Sequence, residues 1–153
     1  MAQDGLSLLK ELATKHKQSK HPNFPYPPPI KYTDKTANGL TKCIVDFINF
    51  SGGQAERISN MGRYIDSSKL VTDSMGFQRR IGSGNYIPGS GTKGTADISA
   101  TINGKSVKIE VKIGKDRQSE AQKVYQASIE RSGGIYMIAR TFEDFYKQVT
   151  NYL

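Results

Sequence analysis

Apolar residues recur along this chain at two spacings, one helical and one of strands. Residues 6–18 carry Leu6, Leu8, Leu9, Leu12 and Ala13, which suits one short amphipathic helix. Residues 40–50 (LTKCIVDFINF) put Leu40, Ile44, Phe47 and Ile48 on one side of a second helix, and Gly52-Gly53 ends it. Two strands are predicted around residues 55–58 and 63–65. From residue 95 the pattern sharpens. Residues 95–102 alternate apolar and polar as a half-buried strand does. Asn103-Gly104 is a strong hairpin signal, because a type I′ turn needs positive φ at both central residues. Residues 106–113 return as the partner strand. Ser119-Glu120-Ala121-Gln122 has the form of a capping box and opens a helix to about residue 131, which Gly133-Gly134 closes. Residues 135–139 form a compact apolar run, predicted to be a central strand. Thr141 caps a last helix carrying Phe142, Phe145, Tyr146 and Val149.

This order predicts a mixed α/β domain, a small mixed β-sheet flanked by helices. The crossover helix from residue 119 makes its two flanking strands parallel. Two segments interrupt the pattern. Residues 21–29 (HPNFPYPPP) are rich in proline, which removes backbone donors and stiffens the chain into an extended arm. Residues 67–96 are rich in Gly, Ser and Arg. Within them Gly82-Ser83-Gly84-Asn85 and Pro88-Gly89-Ser90-Gly91 read as loop. The expected division is a helix and Pro-rich arm over 1–38, then a core over 39–153.

At 153 residues the chain has the length of one ordinary domain and can bury a core without disulfides. Cys43, the single cysteine, lies among apolar neighbours and reads as a buried, inert thiol. With two histidines and one cysteine a structural zinc cage is nearly excluded. His16 and His21 receive no catalytic role. No stretch is long and apolar enough to span a membrane, and the N-terminus lacks the apolar core of a secretory signal. A reducing cytoplasmic setting is expected. The formal charge of +8 favours polyanionic partners, above all nucleic acid.

Candidate chemistry gathers on the Asn103-Gly104 hairpin. Residues two apart in a strand share a face, so Glu110 and Lys112 project together. Counting outward from the turn pairs Ile102 with Lys105, and therefore Asp97 with Glu110. Like charges directly opposite destabilise a hairpin, and a divalent cation removes the conflict. Carboxylate oxygens suit Mg²⁺ or Mn²⁺, with water and substrate phosphate completing the shell. Lys112 can orient an attacking water or stabilise developing charge. A lone Glu-x-Lys triplet is weak, since any exposed strand can carry a charge pair. Its pairing with Asp97 across the hairpin is what gives it weight.

Four segments in order, GTADI (94–98), KIEVK (108–112), SEAQ (119–122) and SGGIYMIAR (132–140), resemble the PD-(D/E)xK nuclease superfamily, and within it the VRR-NUC group of phage and mobile elements. The resemblance implies a restriction-endonuclease-like core over 39–153. It implies that Asp97 and Glu110 bind metal, that the Val111 carbonyl is a further ligand, and that Lys112 is catalytic. It also implies that Gln122 faces the active centre and the nucleic acid, while on local grounds the same residue closes a capping box with Ser119. Two departures stand out. Ala96 precedes Asp97 where proline is usual, and Thr41 and Lys42 stand where many members place a glutamate early in the first core helix. Asp46 and Glu56 are the nearby acids.

Arg79, Arg80, Lys93, Lys115 and Arg117 flank the hairpin in sequence and are candidate phosphate contacts, with the glycine-rich loop 82–94 offering backbone amides. The expected function is a divalent-metal-dependent endonuclease acting on duplex or branched DNA, working as a homodimer with residues 1–38 reaching across to the partner. The alternative is a catalytically silent nucleic-acid-binding module on the same fold.

Overall fold

The computed structural model describes residues 4–24, 26–59, 62–89 and 91–153. Pro25 of the Pro-rich arm and Ser90 of the glycine-rich loop lie outside the described residues. Contacts divide the chain into two compact units, residues 1–58 with 93–153, and residues 59–92.

Among the described residues the larger unit holds four helices: α1 (Gly5–Lys20), α2 (Ala37–Phe50), α3 (Glu120–Arg131) and α4 (Phe142–Val149). Its sheet contains β1 (Gln54–Arg57), β6 (Ile98–Ile102), β7 (Lys105–Val111) and β8 (Ile135–Ala139), in the order β1-β6-β7-β8. The first two pairings are antiparallel and β7–β8 is parallel, as a helical crossover requires. The hairpin register matches the count from the turn: Ile102 lies opposite Lys105 and Ile98 opposite Ile109. Asn103 and Gly104 both have positive φ, at 47° and 77°. The run 135–139 is not central. Among the described strands β8 lies at the sheet edge, and β6 and β7 occupy the middle. Its apolar character comes from burial on its inner face and from the α4 and α3 packing beside it.

One face of the sheet carries the core. Ile98, Ala100, Ile102, Val107, Ile109, Val111, Met137 and Ala139 point there and meet Leu40, Ile44, Phe47 and Ile48 of α2 and Phe142, Phe145 and Val149 of α4. Phe47 meets Phe142, Phe145 and Tyr146 edge-on, with centroids 5.6–6.1 Å apart, the arrangement ring quadrupoles favour. Helix α1 belongs to this layer. Leu9 is fully buried, and the helix packs on α2 and α4 of its own chain. The following arm is tied down as well. Lys17 Nζ donates to the Pro28 carbonyl, Tyr32 Oη to Asp46, and the Phe142 amide to Asp34. The apolar side of α1 is thus covered within the chain, while Phe24 and Tyr26 of the arm stay exposed. Cys43 is buried, and burial pushes its thiol up to about 11, so it stays protonated.

The opposite sheet face carries polar residues and α3. This face is where the alternation of β7 sends Lys108 and Glu110, while Val107, Ile109 and Val111 turn inward.

The smaller unit contains β2 (Arg63–Asp66), β3 (Lys69–Thr72), β4 (Gln78–Ile81) and β5 (Gly84–Ile87), with β2 paired to β5 and β3 to β4, both antiparallel. Of the residues expected as loop, Gly84 and Asn85 are therefore strand, while Gly82, Ser83, Pro88, Gly89 and Gly91 lie outside the strands. Gly84 and Asn85 lie in β5, where cross-strand partners Asp66 and Ile65 supply the pairing that local composition conceals.

Candidate active site

Asp97 immediately precedes β6, and its position follows the hairpin register one step beyond Ile98. Its backbone carbonyl accepts from the Ile58 amide at 2.8 Å, and its Oδ2 accepts from the Val111 amide at 2.9 Å. Val111 thus enters the site through its backbone, while its side chain lies in the core. Gly94 shapes the approach. Its φ is +84°, and an added Cβ there would collide with the backbone of Ala121 and Gln122 at the start of α3.

Glu110 is almost fully buried, and Lys112 is 6% exposed. Lys112 Nζ lies 3.1 Å from Glu110 Oε1, 3.1 Å from Gln122 Oε1, to which it donates, and 3.4 Å from Asp116 Oδ2. The Gln122 side-chain amide donates to Glu110 Oε1. Gln122 caps the helix and contacts the Glu110–Lys112 pair at once. Its Oε1 accepts from the Ser119 amide at 2.9 Å, closing the capping box, while the rest of the amide joins Glu110 and Lys112. Burial, and then the charge of Asp97, hold the Glu110 carboxyl above the usual carboxylate range, against the lowering pull of Lys112 and Tyr136.

Tyr136 is a member that the sequence did not reveal. It lies opposite Lys108 on β8, and its Oη donates to Glu110 Oε2 at 3.4 Å. Burial, followed by the Glu110 charge, raises its phenol, so it remains a donor. Tyr125 of α3 meets its ring edge-on. Parallel pairing of β7 with β8 was legible, but the register that sets Tyr136 beside Glu110 has no local signal. Asp116 and Arg140 were missed too. Arg140 donates to the carbonyls of Gly114 and Asp116 and so pins the loop after β7.

Lys115 and Arg117 are exposed on that same loop, one on each side of Asp116, and Lys93 is exposed one residue before Gly94. These three lie within a few residues of Asp97 or Lys112 in sequence, in the larger unit. Arg79 and Arg80 belong to the other unit. As strand neighbours they project to opposite faces, and each is paired, Arg79 with Asp73 at 3.1 Å and Arg80 with Asp66 at 3.6 Å. Of the remaining acids, Asp46 is engaged by Tyr32 and Lys42 on α2, which packs against the other sheet face. Glu56 lies on β1 opposite Ser99 and is exposed.

Among the described residues no group of three or more His, Cys, Asp or Glu side chains is gathered. The donor set at Asp97 and Glu110 is two carboxylates, hard oxygens that fit Mg²⁺ or Mn²⁺ with a carbonyl, water and phosphate as the remaining ligands. Comparison with protein-family models, curated proteins and solved structures finds no match to this chain.

Proposed function

We propose that this chain is a divalent-metal-dependent endonuclease with a restriction-endonuclease-like core of the PD-(D/E)xK type, hydrolysing DNA phosphodiester bonds. The observation that carries this reading is the buried Glu110, next to Asp97 across the hairpin and 3.1 Å from a nearly buried Lys112. A carboxylate pair with a lysine in reach serves phosphoryl transfer, where catalysis is positioning and charge stabilisation. Asp97, Glu110 and the Val111 carbonyl would hold Mg²⁺ or Mn²⁺. When bound, the ion supplies a Lewis acid for a phosphoryl oxygen and acidifies water.

The chain's own residues do the rest. Lys112 presents its ammonium to the oxygen on which charge develops, or to the attacking water. Gln122 bridges Lys112 and Glu110, so both are held in one geometry by the first turn of α3. The Val111 amide fixes the Asp97 carboxylate. Lys93, Lys115 and Arg117 supply exposed positive charge around the acids, suited to phosphates flanking the scissile bond. Branched or junction DNA fits the resembling family. A homodimer would bring two such sites together, without α1 reaching across, since that helix packs on its own core.

A catalytically silent nucleic-acid-binding module is the second reading. It is favoured by one observation: Lys112 and Gln122 together occupy Glu110 Oε1, so the cluster is neutralised from within. Nicking of supercoiled plasmid with Mg²⁺, Mn²⁺ or EDTA separates the two. The nuclease reading expects nicking that EDTA stops and Asp97→Asn abolishes. Binding with no cleavage of plasmid, linear, flap or junction DNA in either metal would leave the silent module.

A further inference from the structure

We propose that residues 63–87 form one continuous β-ribbon that lies along duplex nucleic acid through a single cationic face, carrying Arg63, Lys69 and Arg79. The inference rests on the nucleic-acid reading above but not on cleavage.

The two strand pairs of the smaller unit share one register. The offset is the same in both, from Arg63 opposite Ile87 to Asp66 opposite Gly84 and from Lys69 opposite Ile81 to Thr72 opposite Gln78, across a break at residues 67–68 and 82–83 where Gly82 takes φ 110°. Ser67 and Ser68 face Ser83 and Gly82 in the gap, where Ser67 Oγ donates to the Ser83 carbonyl at 2.7 Å. The unit is thus a single hairpin, closed at its tip by the Asp73 carboxylate, which accepts from the amides of Met75 and Phe77. A lone two-stranded ribbon is marginal in water. This one leaves large apolar side chains exposed, among them Leu70 at 62% and Ile81 at 58%. Such a surface calls for something to cover it.

The two faces differ in charge. Alternation carried through the register puts Arg63, Lys69 and Arg79 on one face with Ile65, Ile81 and Ile87, and no carboxylate from the paired strands. Arg63 and Lys69 have no ion-pair partner among the described residues. The other face is used by the ribbon itself. There Arg80 pairs with Asp66, and the Tyr64 and Tyr86 rings lie over Gly84 and Gly62.

Charge decides the occupant. Two copies stacked isologously on the cationic face would set like charges against each other. A polyanion is attracted by the same three groups. The Arg79–Asp73 pair is exposed, so a phosphate can replace the carboxylate. The major groove, about 12 Å wide, admits a two-stranded ribbon. The span from Arg63 to Arg79 is about 26 Å at about 3.3 Å per residue, within one duplex turn of about 34 Å.

The test uses the full chain carrying Asp97→Asn, so that the duplex survives, and reads anisotropy of fluorescein-labelled short duplexes of unrelated sequence against salt. Each released phosphate contact removes about 0.9 from the slope of log affinity against log salt. Arg63→Gln with Lys69→Gln and Arg79→Gln should flatten the slope by about 2 to 3 units for every sequence. Arg63→Gln alone should remove about one unit, which serves if the triple variant does not fold. Arg80→Gln, and Arg63→Lys with Arg79→Lys, should leave the slope within about half a unit. An unchanged slope in the triple and single variants, with the parent binding normally, overturns the ribbon interface and leaves the nuclease reading standing. Loss of a dimer in sedimentation, with DNA affinity unaltered, makes the face a contact between copies and overturns the proposal. Failure of both the parent and the unaltered chain in EDTA to bind any duplex at low salt overturns both. A flattened slope in a chain that never cleaves DNA keeps the ribbon and discards the nuclease.

Discussion

Asp97 does two jobs at the residue scale, and they can be separated. Its charge faces Glu110, and its Oδ2 satisfies the Val111 amide. Asp97→Asn keeps an acceptor for that amide and should abolish metal-dependent cleavage while shifting stability in EDTA by less than about 1 kcal/mol. Asp97→Ala orphans the amide and should lose about 1–3 kcal/mol more, offsetting any relief from removing a repulsive neighbour. Urea unfolding of both variants in EDTA decides it, and equal stabilities would mean the Val111 bond is worth nothing. Lys112→Ala is expected to bind DNA with metal present and fail to cut it. It should also destabilise the metal-free chain by about 3 kcal/mol, because a buried Glu110 is left beside Asp97 without its counter-charge. Added Mg²⁺ should restore much of that loss. A loss of DNA binding equal to the loss of cleavage would make Lys112 a simple phosphate contact.

At the scale of elements, the first turn of α3 joins folding to chemistry through Gln122. Ser119→Ala removes only the cap and should cost about 1 kcal/mol, with cleavage reduced in step with any fraying of the helix start. Gln122→Ala removes the cap and also the bridge between Glu110 and Lys112. It should therefore lower the cleavage rate well beyond Ser119→Ala at matched stability. Single-turnover rates with both variants saturated in metal and DNA provide the comparison. Similar rates would reduce Gln122 to a capping residue. The pairing of β7 with β8 is the other element that matters, since it brings Tyr136 to Glu110.

For the whole molecule, the N-terminal helix belongs to the core. Leu9 is fully buried against α2 and α4, so Leu9→Ala should cost about 2–5 kcal/mol by urea unfolding. A chain beginning at Gly39 would expose the apolar sides of both helices and should aggregate or unfold. A stable monomer of that shorter chain, shown by light scattering and a cooperative melt, would contradict this placement. Residues 59–92 form the second unit, whose strands carry exposed apolar and basic groups.

Local sequence by itself determined the hairpin register, the face shared by Glu110 and Lys112, and all four helices with the Ser119 and Thr141 caps. Each of these depends on groups within a few residues of one another, where φ/ψ preference, alternation and capping act directly. The edge position of β8, the neighbourhood of Tyr136 and Glu110, and the burial of α1 on its own chain came only with tertiary packing. So did the strands hidden in the stretch 67–87, whose glycines and serines carry little propensity and pair because the opposite strand is in register. Contacts between residues distant in the chain are selected by how whole faces fit, and a single strand's apolar run is the same whether it ends at the centre of a sheet or at its edge.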